Sequence, residues 1–159
     1  MPKKPTLAAE NVFCVARKEA AKFNDRLNSR EGAAEVTGLD RTRLARIELD
    51  TITPYPEEVI ILADAYNAPE LRNYYCTHQC PLGMRTVPPL EMLQLDRLTI
   101  TILGALGTAD DIKKTILSIV EDGRITEDEK PDMDRVVAEL DRISKATGEL
   151  KLWIEKNLN

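Results

Sequence analysis

The sequence predicts an all-α protein. Apolar residues recur at three- and four-residue steps through most of the 159 residues, which is the spacing of one helix face. Aromatic residues make up only 4% of the chain, whereas β-sandwiches favour aromatic and β-branched side chains. Apolar residues reach 43%, so a core can form. We predict two helical domains, 1–81 and 90–159, joined by a linker over 82–89 that contains two prolines.

The first predicted helix runs from Glu10 to Leu27. Its apolar face consists of Val12, Phe13, Ala16, Ala20, Phe23 and Leu27. Ser29 is an N-cap candidate for a second helix over residues 30–37. Gly38 follows, and glycine readily takes the left-handed conformation that ends a helix.

Three further short helices are predicted in the first half. Asp40 is placed to cap the third helix, in which Leu44 and Ile47 form the buried pair. Pro56 occupies the tolerated first position of the fourth helix, and residues 69–75 form the fifth. Two short helices joined by a glycine turn and followed by two more make the helix-turn-helix layout, in which the second helix of the pair leaves one face free for the major groove.

The run SREGAAEVTGLDRTRLARIELDTITPYPEEVIILADAYNAPEL resembles the Cro/C1-type (XRE) family of helix-turn-helix regulators. The matching features are Ala34, Gly38 in the turn, the Arg-Ile-Glu of residues 46–48, the proline after a short loop and the LADAYNAP helix ending. The resemblance covers about residues 12–75. It implies a five-helix, lambda-repressor-like domain of a prokaryotic or phage transcriptional regulator that binds double-stranded DNA as a dimer.

The resemblance also implies DNA-binding roles for eight residues. Arg41, Thr42 and Arg46 fall where the family contacts bases, and Arg30 and Arg43 fall near the phosphate backbone. The loop residues Thr51, Thr53 and Tyr55 offer neutral phosphate contacts. A guanidinium suits base recognition because it bonds guanine O6 and N7 together. Each arginine has an alternative use as a surface cation or in an ion pair within the chain.

Charge is distributed unevenly along the chain. The net charge of −5 excludes a protein that coats nucleic acid through charge alone. Between Arg17 and Arg46, however, there are eight basic and five acidic residues, whereas 82–159 hold 11 basic and 15 acidic residues, −4 of the total. We predict that Glu48 pairs with a first-helix base such as Lys22. Non-specific DNA affinity should be modest, with specificity depending on a few arginines.

Three cysteines and one histidine raise the question of a metal site. Cys76, His78 and Cys80 offer three ligands within five residues, with Cys14 as a possible fourth, but the spacing matches no common zinc module. We therefore predict no metal and no cofactor, and keep a metal- or redox-responsive regulator as a third hypothesis. So few cysteines favour a reduced, cytoplasmic setting, and no membrane-length apolar run is present.

The second half is predicted to contain three helices. The first spans about Leu90–Leu106, with Leu95, Leu98, Ile102 and Leu106 inward. Thr108 can cap the second, whose inner side is Ile112, Ile116, Ile119 and Val120. Thr126 and Glu129 form a capping box before the last and longest helix.

The last helix carries apolar residues at heptad spacing. We predict that it packs on the two preceding helices and also dimerises through Met133, Val136, Leu140, Ile143, Leu150 and Ile154.

No enzyme signature is present, because the chain lacks a phosphate-binding glycine loop and a nucleophile elbow. The main hypothesis is a dimeric transcriptional regulator that contacts DNA through residues 40–48. The alternative is a protein-interaction adaptor in which the N-terminal fold is a scaffold and the C-terminal helices recruit a partner.

Overall fold

The structure, a computed structural model, describes residues 7–120 and 123–158. These residues form α-helices, short 3-10 helices and connecting turns without a strand, which confirms the all-α prediction. The chain divides between Pro89 and Leu90 into two compact units, each considered by itself below. No helix within the described ranges is both long and apolar enough to cross a membrane.

The described residues of the first unit, 7–89, form six α-helices. Their bounds are α1 Val12–Ala20, α2 Arg30–Thr37, α3 Arg41–Glu48, α4 Pro56–Ala65, α5 Glu70–His78 and α6 Gly83–Thr86. The short α6 lies inside the segment predicted as a linker, and this segment belongs to the first unit. The second unit contains α7 Leu95–Leu106, α8 Ala109–Ile119 and α9 Lys130–Leu158.

The predicted helix boundaries around α2 and α3 are confirmed by their capping contacts. Ser29 Oγ accepts a hydrogen bond from Gly32 N at 3.0 Å, and Asp40 Oδ1 accepts one from Arg43 N at 3.0 Å. Gly38 has a φ of +72°, the left-handed conformation that ends α2. These local signals fix the angle at which α3 leaves α2.

The single first helix predicted over residues 10–27 is wrong. α1 ends at Ala20, and Leu27 lies in a separate 3-10 helix, Asp25–Asn28. The side chain of Asn24 accepts a hydrogen bond from Arg26 N at 3.2 Å, which supplies a local alternative to a continued helix. Phe23, predicted to be inward, is 93% exposed in this break.

The core of the first unit is aliphatic with a few aromatic rings. Its largest fully buried side chains include Phe13, Leu27, Leu44, Ile47, Leu62 and Leu71. Leu44 and Ile47 point α3 into this core, as predicted from their spacing. Because these residues and Glu48 are buried, Thr42 and Arg46 lie on the outward side of α3 and are exposed.

In the second unit, α9 packs against both α7 and α8, which contact each other little. Glu149 Oε1 accepts from Glu91 N at 3.2 Å, just before α7, and Thr108 Oγ1 donates to Glu139 Oε2 at 3.1 Å, just after it. These two contacts show that α9 runs antiparallel to α7. α8 starts directly after Thr108, beside Glu139, packs against α9 and ends before the connection to Lys130 at the start of α9, so it also runs antiparallel to α9.

Several residues predicted to be inward in this unit are not buried. Leu98, Ile112 and Ile119 are buried, whereas Leu95, Leu106 and Val120 each expose about half of their surface. The physical reason is that α7 and α8 each have α9 as their main packing partner, so only the strip facing α9 is covered. The apolar stripes are wider than this contact.

Candidate nucleic-acid interface

The outward side of α3 is the part of the first unit that matches the predicted DNA contacts. Thr42 and Arg46 are exposed there, about one helical turn apart. Arg46 takes part in no ion pair within the described part of the chain. Its guanidinium is therefore available to an external acceptor. Arg41 and Arg43 flank this side of the helix but are held by carboxylates.

Glu48 organises a buried ionic group that joins three helices. Arg17 Nε lies 2.6 Å from Glu48 Oε1 and Arg17 Nη2 lies 3.1 Å from Oε2, while Arg30 Nε lies 2.7 Å from Oε2. Arg17 Nη1 also donates to Leu27 O at 2.8 Å. Burial alone would raise the pKa of Glu48, but the hydrogen bonds and charges of Arg17 and Arg30 outweigh it and hold the pKa below its usual range.

The prediction that Glu48 pairs with a base of the first helix is confirmed by Arg17, but Lys22, the example given, is wrong. Lys22 follows the end of α1 and pairs instead with Glu19 on the surface. Arg17 lies four residues after Phe13 on the inward side of α1, which places its guanidinium beside α3. A basic residue at an inward helix position was the signal that could have identified it. Arg30, predicted near phosphate, is held at the start of α2 by the same carboxylate.

Arg43 is fixed against the start of α4. Its Nη2 donates to Glu58 Oε2 at 2.8 Å, and its Nε donates to Glu58 Oε1. The guanidinium carbon lies 4.4 Å above the centre of the Tyr55 ring, a cation–π contact. The hydrogen bonds from Arg43 lower the pKa of Glu58. This arrangement orients Tyr55, one of the predicted phosphate contacts, and neutralises much of the charge of Arg43.

Arg41 is paired more weakly. Its Nε donates to Glu31 Oε1, and both side chains are more than half exposed. The carboxylate accepts a backbone hydrogen bond within its own residue and the bond from Arg41, and these contacts lower the pKa of Glu31. Exposed pairs of this kind are weak because water screens them, so a phosphate can compete for Arg41.

The loop after α3 brings the remaining predicted contacts near the same helix. Thr51 Oγ1 donates to Arg46 O at 3.0 Å, and Thr53 is exposed. Asp50 has a φ of +55°, and its Oδ1 accepts from Asn11 Nδ2 at 2.8 Å. Asn11 also donates to Ile47 O at 3.1 Å, so it anchors this loop to α1. Sequence reasoning missed this role of Asn11.

A basic cavity of about 290 Å³ lies beside the start of α2. Its lining residues include Arg17, Lys18, Arg30 and Arg41, together with the N-cap Ser29. Glu31 also lines it and is the acidic residue of the set. The predicted base and phosphate contacts therefore lie on adjoining surfaces, the outward side of α3 and the N-terminal end of α2.

The cysteine and histidine residues have local structural contacts. The His78 ring stacks on Tyr74 with centroids 4.3 Å apart, and Cys80 Sγ accepts from Gly83 N at 3.4 Å. Burial raises the pKa of the Cys14 thiol, which lies in α1. Nowhere in 7–120 or 123–158 do three His, Cys, Asp or Glu side chains gather in a group that could hold a metal ion.

The predicted dimerisation residues of α9 fall into three classes of exposure. Leu140 and Ile154 are exposed, Met133, Ile143 and Leu150 are half-buried, and Val136 is only 3% exposed. Val136 packs within its own unit and cannot contribute surface to a partner.

Comparisons of the chain with protein-family models, with curated proteins and with solved structures each found no match.

Proposed function

We propose that this protein is a sequence-specific transcriptional regulator of the Cro/C1 type that binds double-stranded DNA as a homodimer. The observation that carries the proposal is the exposed guanidinium of Arg46, which has no ion-pair partner in the described ranges and lies beside Thr42 on the outward side of α3. The role is non-enzymatic and needs no cofactor. It is exercised in the cytoplasm, where free thiols such as those of Cys76 and Cys80 remain reduced.

In this proposal α3 enters the major groove. Arg46 donates two hydrogen bonds to one guanine, and Thr42 contacts the neighbouring base edge. Lys18, Arg41 and the N-terminal end of α2 approach the phosphates, where positive charge and free backbone N–H groups favour an anion. Arg43 acts mainly by positioning Tyr55, because Glu58 already occupies its Nε and Nη2.

The test begins with selection of binding sites from random duplex DNA, followed by titration of the enriched site. Arg46→Ala should weaken binding by about 10- to 100-fold, the loss expected for one bidentate arginine–guanine contact. Arg85→Ala is the matched control, since Arg85 is an exposed arginine of the same unit on α6. Failure to enrich any sequence, or equal binding by the two variants, would refute the proposal.

Salt dependence gives a second measure of the same interface. Glu31 and Glu58 neutralise two of the cations next to α3, so few arginines and lysines are left for phosphates. The logarithm of the binding constant should fall with a slope of about −0.9 per neutralised phosphate. We expect a slope that corresponds to only a few phosphates per protomer.

The ion pairs also favour one alternative, the adaptor. Arg30, Arg41 and Arg43 are each engaged by a glutamate, which is compatible with a helix-turn-helix fold used as a scaffold. The exposed apolar residues of the second unit would then recruit a partner. Selection that enriches no DNA, together with a stable complex recovered by pull-down, would favour this function over the regulator.

A further inference from the structure

An exposed apolar strip runs along one side of the second unit. In each helix it contains the residue that directly follows a buried one: Leu106 follows Ala105, Val120 follows Ile119, and Val137 follows Val136. One residue corresponds to a rotation of about 100° around a helix. Leu103, Leu117 and Leu140 lie on the same strip, four or five residues after buried positions.

The three parts of this strip lie on the same side of the unit. α9 runs antiparallel to α7, as the contacts of Glu149 and Thr108 show, and to α8, which starts beside Glu139 and whose end leads to the start of α9. When two antiparallel helices pack together, the residue that follows an inward-facing residue points toward the same side of the pair in both helices. The exposed residues of α7, α8 and α9 therefore form a single surface, which we call the apolar face: Leu103, Leu106, Leu117, Val120, Val137 and Leu140.

The apolar face is too large for an ordinary exposed surface. Each of its six side chains is between 46% and 65% exposed. With Leu95 and Ile154, which extend it at one end, the exposed surface is on the order of 700 Å², above the few hundred Å² of a typical largest patch on a monomer. One side of a standard protein–protein interface covers about 800 Å², so this face has the size of half a dimer interface.

The charge on this side of the unit is compatible with self-association. The residues at three- and four-residue steps along the strip include two carboxylates, Asp96 and Asp110, and two lysines, Lys113 and Lys151. A face with charges of both signs offers little for selecting a partner of one charge. A two-fold dimer pairs the face with itself, so its carboxylates and lysines meet a surface that holds charges of the opposite sign.

We propose that a second copy of this chain covers the apolar face, so that α7, α8 and α9 of two protomers pack face to face into one helical bundle. This arrangement differs from a coiled coil formed by α9 alone, because α7 and α8 supply more than half of the surface and Val136 supplies none. This dimer rests on the proposed function, because its interface would join two DNA-binding units. Dimerisation itself is measured without DNA.

The experiment determines the molar mass of the full-length protein by light scattering at about 10–100 µM, in the absence of DNA. Wild type should have twice the chain mass of 17.9 kDa. Leu103→Glu on α7 and Leu140→Glu on α9 should each weaken the dimer at least about 100-fold, because a charge replaces a buried leucine. Ile125→Glu is the matched control, since Ile125 is 54% exposed but lies in the connection before α9, outside the three helices that form the face.

Each outcome decides between explanations, with helix content by circular dichroism as the check on folding. Monomeric wild type would overturn the proposal and indicate that the face is covered within one chain or by another protein. Dissociation by Leu140→Glu but not by Leu103→Glu would overturn the three-helix face and favour a seam on α9. Dimers that persist in both variants would also overturn it. A dimer that fails to bind DNA would reject only the proposed function.

Discussion

Replacing Glu48 by glutamine should destabilise the first unit more than any exposed ion-pair substitution. The variant keeps the size of the side chain but removes the charge that Arg17 Nε and Nη2 contact at 2.6 and 3.1 Å. The Arg17 and Glu48 side chains are only 6% and 2% exposed, so water cannot replace the lost partner. The guanidinium of Arg17 is then left with neutral acceptors, the amide oxygen of the new side chain and the carbonyls of Leu27 and Asn28.

The expected cost follows from this burial. Removing one partner of a buried ion pair costs about 3–5 kcal/mol, because an uncompensated charge remains inside the protein. Glu48→Gln keeps one amide oxygen as an acceptor, so we expect about 3 kcal/mol, the lower end of that range. Glu35→Gln is the control, since the Arg26–Glu35 pair is more than 60% exposed on both sides and should contribute about 0–1 kcal/mol.

The assay is urea unfolding followed by two signals. Far-ultraviolet circular dichroism reports the helices of both units, whereas the single tryptophan, Trp153, lies in α9 and reports the second unit. Glu48→Gln should shift the part of the dichroism transition that is not accompanied by a change in Trp153 fluorescence. A loss below about 1 kcal/mol, equal to that of Glu35→Gln, would refute the argument that this group is an essential buried pair.

Three other predictions follow from particular contacts. The pKa of Glu48 is depressed below its ordinary 4.5 in the folded state. Its contribution to stability is therefore complete above about pH 5 and decreases as the pH falls through the folded pKa. The midpoint of urea unfolding should fall with decreasing pH in wild type, and it should fall less in Glu48→Gln. Gly32→Ala should destabilise by about 1–3 kcal/mol, because the added Cβ would lie 1.9 Å from Arg26 O, whereas Gly104→Ala, with open space around it in α7, should stabilise by up to about 1 kcal/mol in thermal unfolding. Glu31→Gln should tighten DNA binding several-fold at low salt because it releases Arg41, whereas Glu35→Gln should change affinity less; equal effects of the two would contradict a local competition between Glu31 and phosphate.

Helix ends in the first unit could be predicted because their causes are local. Ser29, Asp40 and Gly38 act within four residues of their own position, through one hydrogen bond or one φ angle. The break after Ala20 could not be predicted from periodicity, because Phe23 and Leu27 continue the helical spacing. Their spacing is the same whether the chain is helical or turns at Asn24, and only the three-dimensional contacts distinguish the two.

The ionic contacts around α3 show a different limit of sequence reasoning. Arg30, Arg41 and Arg43 could be identified as basic residues beside the helix-turn-helix, but their glutamate partners are 18, 10 and 15 residues away. Such pairs depend on how α1, α2 and α4 surround α3. In the second unit, likewise, an apolar residue has the same spacing whether it faces α9 or a second protein, so Leu106 and Val120 were assigned to the wrong side.

The glutamates around α3 have a consequence for specificity. Non-specific DNA affinity increases with the number of cations that reach phosphates, and it occurs at every genomic site. Glu48, Glu58 and Glu31 each form an ion pair with an arginine of this segment. Most of its positive charge is therefore balanced by the protein's own carboxylates and is not free to attract phosphates. Arg46 is exposed and has no glutamate partner among the described residues, and in the proposed complex it faces a base edge. In the proposed regulator, the ion pairs therefore lower affinity for random DNA more than affinity for the operator, and raise the ratio between the two.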